Sequence, residues 1–169
     1  MSVSIYDASI PGLVRGLTNL SVLLDKAAAH AAARKFDPAN LLQARLYPDM
    51  HPFVRQVQIA CDTAKGAAGR LAAREIPKHE DHEASIAELK ARIQKTIDFV
   101  QSVTPEAMAG AESRSIVLTF PTNTLNFTGL SYLTHFVLPN FYFHLSIAYA
   151  LLRHNGVEIG KRDFLGAIQ

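Results

Sequence analysis

The run Tyr132-Leu133-Thr134-His135-Phe136-Val137-Leu138-Pro139-Asn140-Phe141-Tyr142-Phe143-His144-Leu145-Ser146-Ile147-Ala148-Tyr149-Ala150-Leu151-Leu152-Arg153 decides the fold. It ends a stretch, Ser115 to Leu152, that contains no Asp, Glu, Lys or Arg. From Gly129 to Leu152 the run is long enough to cross a bilayer. His135, Pro139, Asn140 and His144 are each costly or disruptive in lipid, however, and no second comparable span exists. The run is therefore expected to be a helix at the centre of a bundle, with no membrane partner. Asn140 and His144 stand one turn apart on it and share a face. His135 and His144 point to opposite sides at about 100° per residue.

Working back toward the N-terminus, apolar periodicity predicts three more long helices. Helix one runs from Ser4 or Ser9 to Arg34, with Ile10, Leu13, Leu17, Leu20, Leu24 and Ala27 on one face. Phe36-Asp37-Pro38 ends it, and Asp37 is expected to cap a short helical piece through Ala44. Helix two is expected to start at Asp49 as N-cap, with Pro52 in its first turn and Val54, Val57, Cys61, Ala64, Ala68 and Leu71 as its stripe. Residues 74–82 read as a polar connection. Helix three opens at Asp81 or at the capping-box pattern Ser85-Ile86-Ala87-Glu88. Its inner face is Ile86, Leu89, Ile93, Ile97 and Val100, while Glu88, Lys90, Arg92 and Lys95 are expected to face solvent. The β-branched and aromatic runs 115–120 and 124–127, around Pro121-Thr122-Asn123, predict a small hairpin. Helix four follows from Gly129 to about His154, closed by Asn155-Gly156. Four such helices make an all-α four-helix bundle.

Composition narrows the possible partners. The chain has 169 residues, which implies one domain over 1–169, and 49% hydrophobic residues, which implies a globular core. A net charge of +2 with no Lys/Arg cluster argues against nucleic acid. The single Cys61 suits a reducing compartment and reads as core. The start, Met1 to Asp7, lacks the basic and apolar regions of a signal peptide, so a cytoplasmic protein is expected.

Chemistry can be carried by few residues. Asn140 and His144 can hold a ligand, or can satisfy each other inside the core. Gln58 and Asp62 are likewise four apart on helix two. Asp62 reads either as a carboxylate reaching toward helix four or as an ion pair with Lys65. His51 reads as an acid, base or ligand at a cavity mouth, or as a surface residue of the first turn. Lys78-His79-Glu80-Asp81-His82 has metal-ligand residue types but the setting of a solvated linker. No phosphate loop, nucleophile elbow or paired-cysteine motif is present.

Several segments together resemble a known family. These are residues 45–50 (Arg-Leu-Tyr-Pro-Asp-Met), Gln56-Val57-Gln58 with residues 62–66 (Asp-Thr-Ala-Lys-Gly), Gly110-Ala111-Glu112, residues 138–144, residues 151–156 (Leu-Leu-Arg-His-Asn-Gly) and Asp163-Phe164-Leu165-Gly166. They are similar to a bacterial family of unknown function in the DinB/YfiT-like superfamily of proposed metalloenzymes, over nearly the whole chain. The resemblance implies an up-down-down-up bundle, a homodimer, and a divalent metal on three histidines, one on helix two and two as H-x-x-x-H on helix four. Here His144 matches the second of that pair, Asn140 stands at the first, and Gln58 and Asp62 stand on helix two. The site expected is a polar pocket between helices two and four lined by Gln58, Asp62, Asn140 and His144, with His51 and Tyr142 near its mouth. Two readings remain open. One is a divergent metal-dependent or acid–base enzyme acting on a small molecule, with His144 as ligand or base, Asp62 as its partner carboxylate and Asn140 orienting. The other is a non-catalytic, dimerising or small-ligand-binding bundle that has lost the metal.

Overall fold

The computed structural model describes residues 3–167; Met1 and Ser2, where the leader reading begins, and residues 168–169 lie outside them. Helix α1 spans Ile10–Arg34, and its whole expected stripe is buried. Pro11 lies in its first turn, where a missing N–H leaves no bond unmade. Lys35 closes the helix in the left-handed region, at φ 56°. Asp37 accepts a hydrogen bond from the Ala39 amide at 2.9 Å and so supports the short α2, Ala39–Leu42.

Helix α3 is Phe53–Leu71, with its N-cap at Pro52, three residues later than the Asp49 N-cap expected from capping chemistry. Proline explains the shift. A residue preceding proline is pushed out of the helical region, which removes His51 from the helix. Pro52 itself is extended, at ψ 165°, and occupies the N-cap. The Phe53 amide then bonds to the Ala44 carbonyl at 3.0 Å, tying the helix start to the end of α2. Asp49 contributes no cap. Helix α4, Ile86–Gln101, starts at Ser85, whose hydroxyl accepts from the Glu88 amide at 3.2 Å. Its expected inner face is buried, but Arg92, expected in solvent, is only 3% exposed.

Strands β1 (Ser115–Thr119) and β2 (Thr124–Thr128) pair antiparallel, with Ile116 facing Phe127 and Leu118 facing Leu125. Ile116 and Leu118 point into the core while Val117 points out, the period-two alternation of a half-buried strand. One helical turn, α5 (Gly129–Ser131), continues as a π-helical segment, Tyr132–Val137, and then as α6, Leu138–His154. The widened turn lies directly ahead of Pro139, which cannot donate to the helical ladder. After Gly156, at φ 84°, the chain turns back. It ends in α7, Lys161–Leu165, which is pinned to α1 by Lys26–Asp163 at 2.6 Å and by Asn19 donating to the Phe164 carbonyl at 3.0 Å.

Side-chain bonds establish the helix directions. Gln56 meets His144 and Thr63 meets Asn140, so α6 runs antiparallel to α3. Gln58 meets Glu83 and Asp62 meets Arg92, so the connection 72–85 returns along α3 and α4 runs parallel to it. Lys90, in the first half of α4, pairs with Asp25, in the second half of α1, as in an antiparallel pairing of α1 and α4. The result is an up-down-down-up bundle with the hairpin before its last long helix. The most buried helix is α3, where Ala60, Cys61, Ala64, Ala67 and Ala68 have no exposure. By contrast α6, which is free of Asp, Glu, Lys and Arg until Arg153 in its last turn, exposes Tyr142 and Phe143 at 38% and 53%. No helix among the described residues is long and apolar enough to cross a membrane.

Candidate functional site

The seam between α3 and α6 carries the residues that the sequence singles out on the last helix. His144 is 8% exposed, and its Nδ1 lies 2.7 Å from Gln56 Oε1. The Gln56 amide nitrogen donates to the His51 carbonyl at 3.0 Å. That bond orients the amide, so Oε1 accepts from a protonated Nδ1 and the lone pair is left on Nε2. Burial, followed by the nearby positive charge of His51 and Arg55, pulls the His144 pKa down to about 4. Asn140, one turn earlier, donates to the Thr63 hydroxyl at 3.3 Å. Tyr142 points away from the seam toward Gly12 of α1. The side chain of His51 is exposed, and its hydrogen bond to the seam is made by its backbone carbonyl.

Gln58 and Asp62 belong to a different group, on the α4 side of α3. Asp62 accepts from Arg92 at 2.8 Å and pairs with Lys65 at 3.1 Å. Gln58 donates to Glu83 at 2.8 Å and accepts from Arg55 at 3.2 Å. Arg92 also holds Glu83 at 3.0 Å and Asp81 at 2.9 Å. Burial opposes the charge on Arg92, but the bond to Glu83 and the charges of Asp62 and Glu83 outweigh it and raise its pKa. Glu83 is pulled up by burial and, more strongly, down by Gln58 and Arg92. Buried Cys61, with its thiol pushed up to about 12 by desolvation, has no nucleophilic character.

Sequence reasoning missed Gln56, Thr63 and Arg92. Gln56 and Gln58 lie about 200° apart on an ideal helix, so only one of them can face α6. Gln56 and Thr63, seven residues apart, share that face, and this spacing was the available signal. For Arg92 the signal was its position three residues after Leu89 and four before Thr96, both buried.

A cleft of about 240 Å³ opens between α3, the hairpin and the π-helical segment. Asp62, Thr63 and Asn140 supply its polar wall. The widened turn places Tyr132 and Phe136, stacked at 5.8 Å, on the opposite side, with Phe120 of the hairpin at the rim. Arg70 reaches across α3 and donates to the Tyr132 hydroxyl at 3.3 Å. Its guanidinium forms no ion pair among the described residues. Of the expected pocket, this cleft unites Asp62 and Asn140. Gln58, His51, His144 and Tyr142 are not in its lining.

The donor set on the seam does not suit the divalent metal that the family resemblance implies. Gln56, Thr63 and Asn140 are neutral amides and a hydroxyl, and one imidazole alone does not make a zinc- or nickel-type site. No group of three His, Cys, Asp or Glu side chains is placed to hold a metal ion among the described residues.

A family model described as "Domain of unknown function (DUF1993)" matches residues 5–165 of the chain. Among solved structures, the crystal structure of a DinB family member protein from Shewanella denitrificans is similar. It is 40% identical with a TM-score of 0.89, and the match covers 97% of this chain and 93% of that chain. No curated protein matches.

Proposed function

The chain belongs to the DUF1993 family, with a DinB-like fold, and on that premise we propose that it is a small-molecule-binding bundle rather than a three-histidine metalloenzyme. The ligand occupies the cleft beneath the hairpin. Asn140, Thr63 and Asp62 meet its polar edge, and Tyr132, Phe136 and Phe120 meet its apolar body. A concave site with a few convergent polar groups on an aromatic wall is the usual form of a small-molecule pocket. The observation that carries the reading is the Asn140–Thr63 pair. It neutralises one metal-ligand position of the family pattern and lines the cleft at the same time.

His144 favours a second, acid–base reading, because its Nδ1–H is engaged and its Nε2 lone pair is free to act as a base. Asp62, committed to Arg92 and Lys65, is not its partner, so such chemistry would rest on His144 with Gln56 as its orienting group. In either reading Gln58 holds Glu83 in place, while His51 and Tyr142 flank the seam. The proposal takes residues 1–169 as one cytoplasmic domain that pairs as a homodimer; the exposed aromatics of α6 offer an apolar face for that. Nucleic acid is not part of it, since Arg55, Lys65, Lys90 and Arg92 are each paired with carboxylates.

The test is a small-fragment screen read by amide chemical shifts. Binders should perturb Thr63, Arg70, Asn140 and residues 117–120 together. Asn140→Leu, of similar volume, should weaken the best binder by about tenfold, the loss of one or two hydrogen bonds. Fragments that shift only residues outside this cleft would overturn the proposal.

A further inference from the structure

A second cleft, of about 330 Å³, lies away from the seam, between the connection 72–85 and α4. Two atoms of residues that line it, His79 Nδ1 and Arg92 Nε, are buried without a hydrogen-bond partner among the described residues. Buried polar groups nearly always find a partner, so two orphans beside one cavity point to an occupant. Arg92 is the stronger of the two, because it is 3% exposed while both its Nη nitrogens already donate, to Glu80, Glu83 and Asp62.

The charges around the cleft show what kind of occupant fits. Three carboxylates line it, and each is already committed. Glu83 is held by Gln58 and Arg92, Glu80 pairs with Lys78 at 2.7 Å, and Glu88 accepts from the Ala84 amide and the Ser85 hydroxyl at the start of α4. Among the described residues Lys95, also in the lining, forms no ion pair. What remains unspent is the Arg92 Nε–H, the imidazoles of His79 and His82 and the Lys95 ammonium. Burial, followed by the nearby charges of Lys65, Arg92 and Lys95 and against an opposing pull from Asp62, disfavours a proton on His79. We propose that this cleft binds a small oxyanion, a phosphate or carboxylate group, that accepts from Arg92 Nε–H and the His79 imidazole, with Lys95 at the mouth.

Charge-assisted bonds of this kind are the strong ones. The site shares no residue with the α3–α6 cleft and stands whether or not that cleft binds its ligand. The test titrates the full chain with inorganic phosphate and, separately, with succinate, and follows the Arg92 Nε–H and His79 ring signals. Saturable shifts of both signals with either anion are expected, and the tighter anion identifies the headgroup. Lys95→Gln, at an exposed position, and His79→Ala should each weaken binding by about tenfold, with unchanged far-ultraviolet dichroism. The exposed Lys161→Gln should change nothing. The absence of a saturable shift with both anions, as expected if only water fills the cleft, would overturn the proposal, as would affinities unchanged in both variants.

Discussion

At the scale of single residues, His144 is the most constrained polar group of the α3–α6 seam. Its folded-state pKa of about 4 lies below the ordinary value of 6.5, so the fold holds it neutral. As pH falls, the unfolded chain takes up this proton first. The stability gained by keeping His144 neutral is therefore complete above about pH 6.5 and is lost as pH falls toward 4. It amounts to at most about 3 kcal/mol. A ring titration by nuclear magnetic resonance should find His144 neutral at pH 5.5, and a midpoint near 6.5 would show that the burial argument fails. Asn140 and His144 were legible in the sequence because polar groups stand out in a stretch without Asp, Glu, Lys or Arg. Their partners Gln56 and Thr63 were not, because a polar residue on a mixed helix reveals its facing only once its neighbour is known. Arg92 is the sharper case. A charged side chain reads as solvent-facing, and only the carboxylates brought by α3 and the connection explain its burial.

At the scale of elements, apolar periodicity located the four long helices because each buries one continuous stripe. The ends were less legible. Asp49 is a good capping residue, but Pro52 and its effect on His51 moved the start of α3 to Phe53. The hairpin was visible as two β-branched and aromatic runs around Pro121, and the structure adds Thr128 to its second strand. The π-helical turn was not visible, because the sequence reports a proline and not how the preceding turn accommodates it. Gly129 links these pieces. A Cβ there would lie 1.8 Å from the Ala111 carbonyl oxygen, so backbone must move to admit one. Gly129→Ala should cost about 1–3 kcal/mol in urea unfolding. It should also disturb the cleft, since Tyr132 follows one turn later. A variant as stable as the wild type would mean that the 109–114 loop is free to withdraw.

At the scale of the whole molecule, the parallel arrangement of α3 and α4 requires a connection able to run back along α3. Residues 72–85 extend to about 45 Å at full stretch, against about 28 Å for a helix of 19 residues. The same strap carries His79, Glu80, Asp81 and Glu83, so the topology that builds the bundle also builds the charged network and the second cleft. That topology came from the family resemblance, since periodicity names helices but not their directions. The pocket expected from the sequence divides in the structure, because Gln58 faces the connection and α4, His144 is held in the seam by Gln56, and only Asp62 and Asn140 share the cleft. The seam that would carry a three-ligand metal is occupied by the neutral pairs Gln56–His144 and Thr63–Asn140, and the proposal places a small molecule in the adjacent cleft. The most direct test is metal content, by elemental mass spectrometry, of protein incubated with zinc, nickel and manganese and then desalted, for the wild type and His144→Ala. The account predicts well below stoichiometric metal in both proteins. Near-stoichiometric metal in the wild type, lost in His144→Ala, would contradict it.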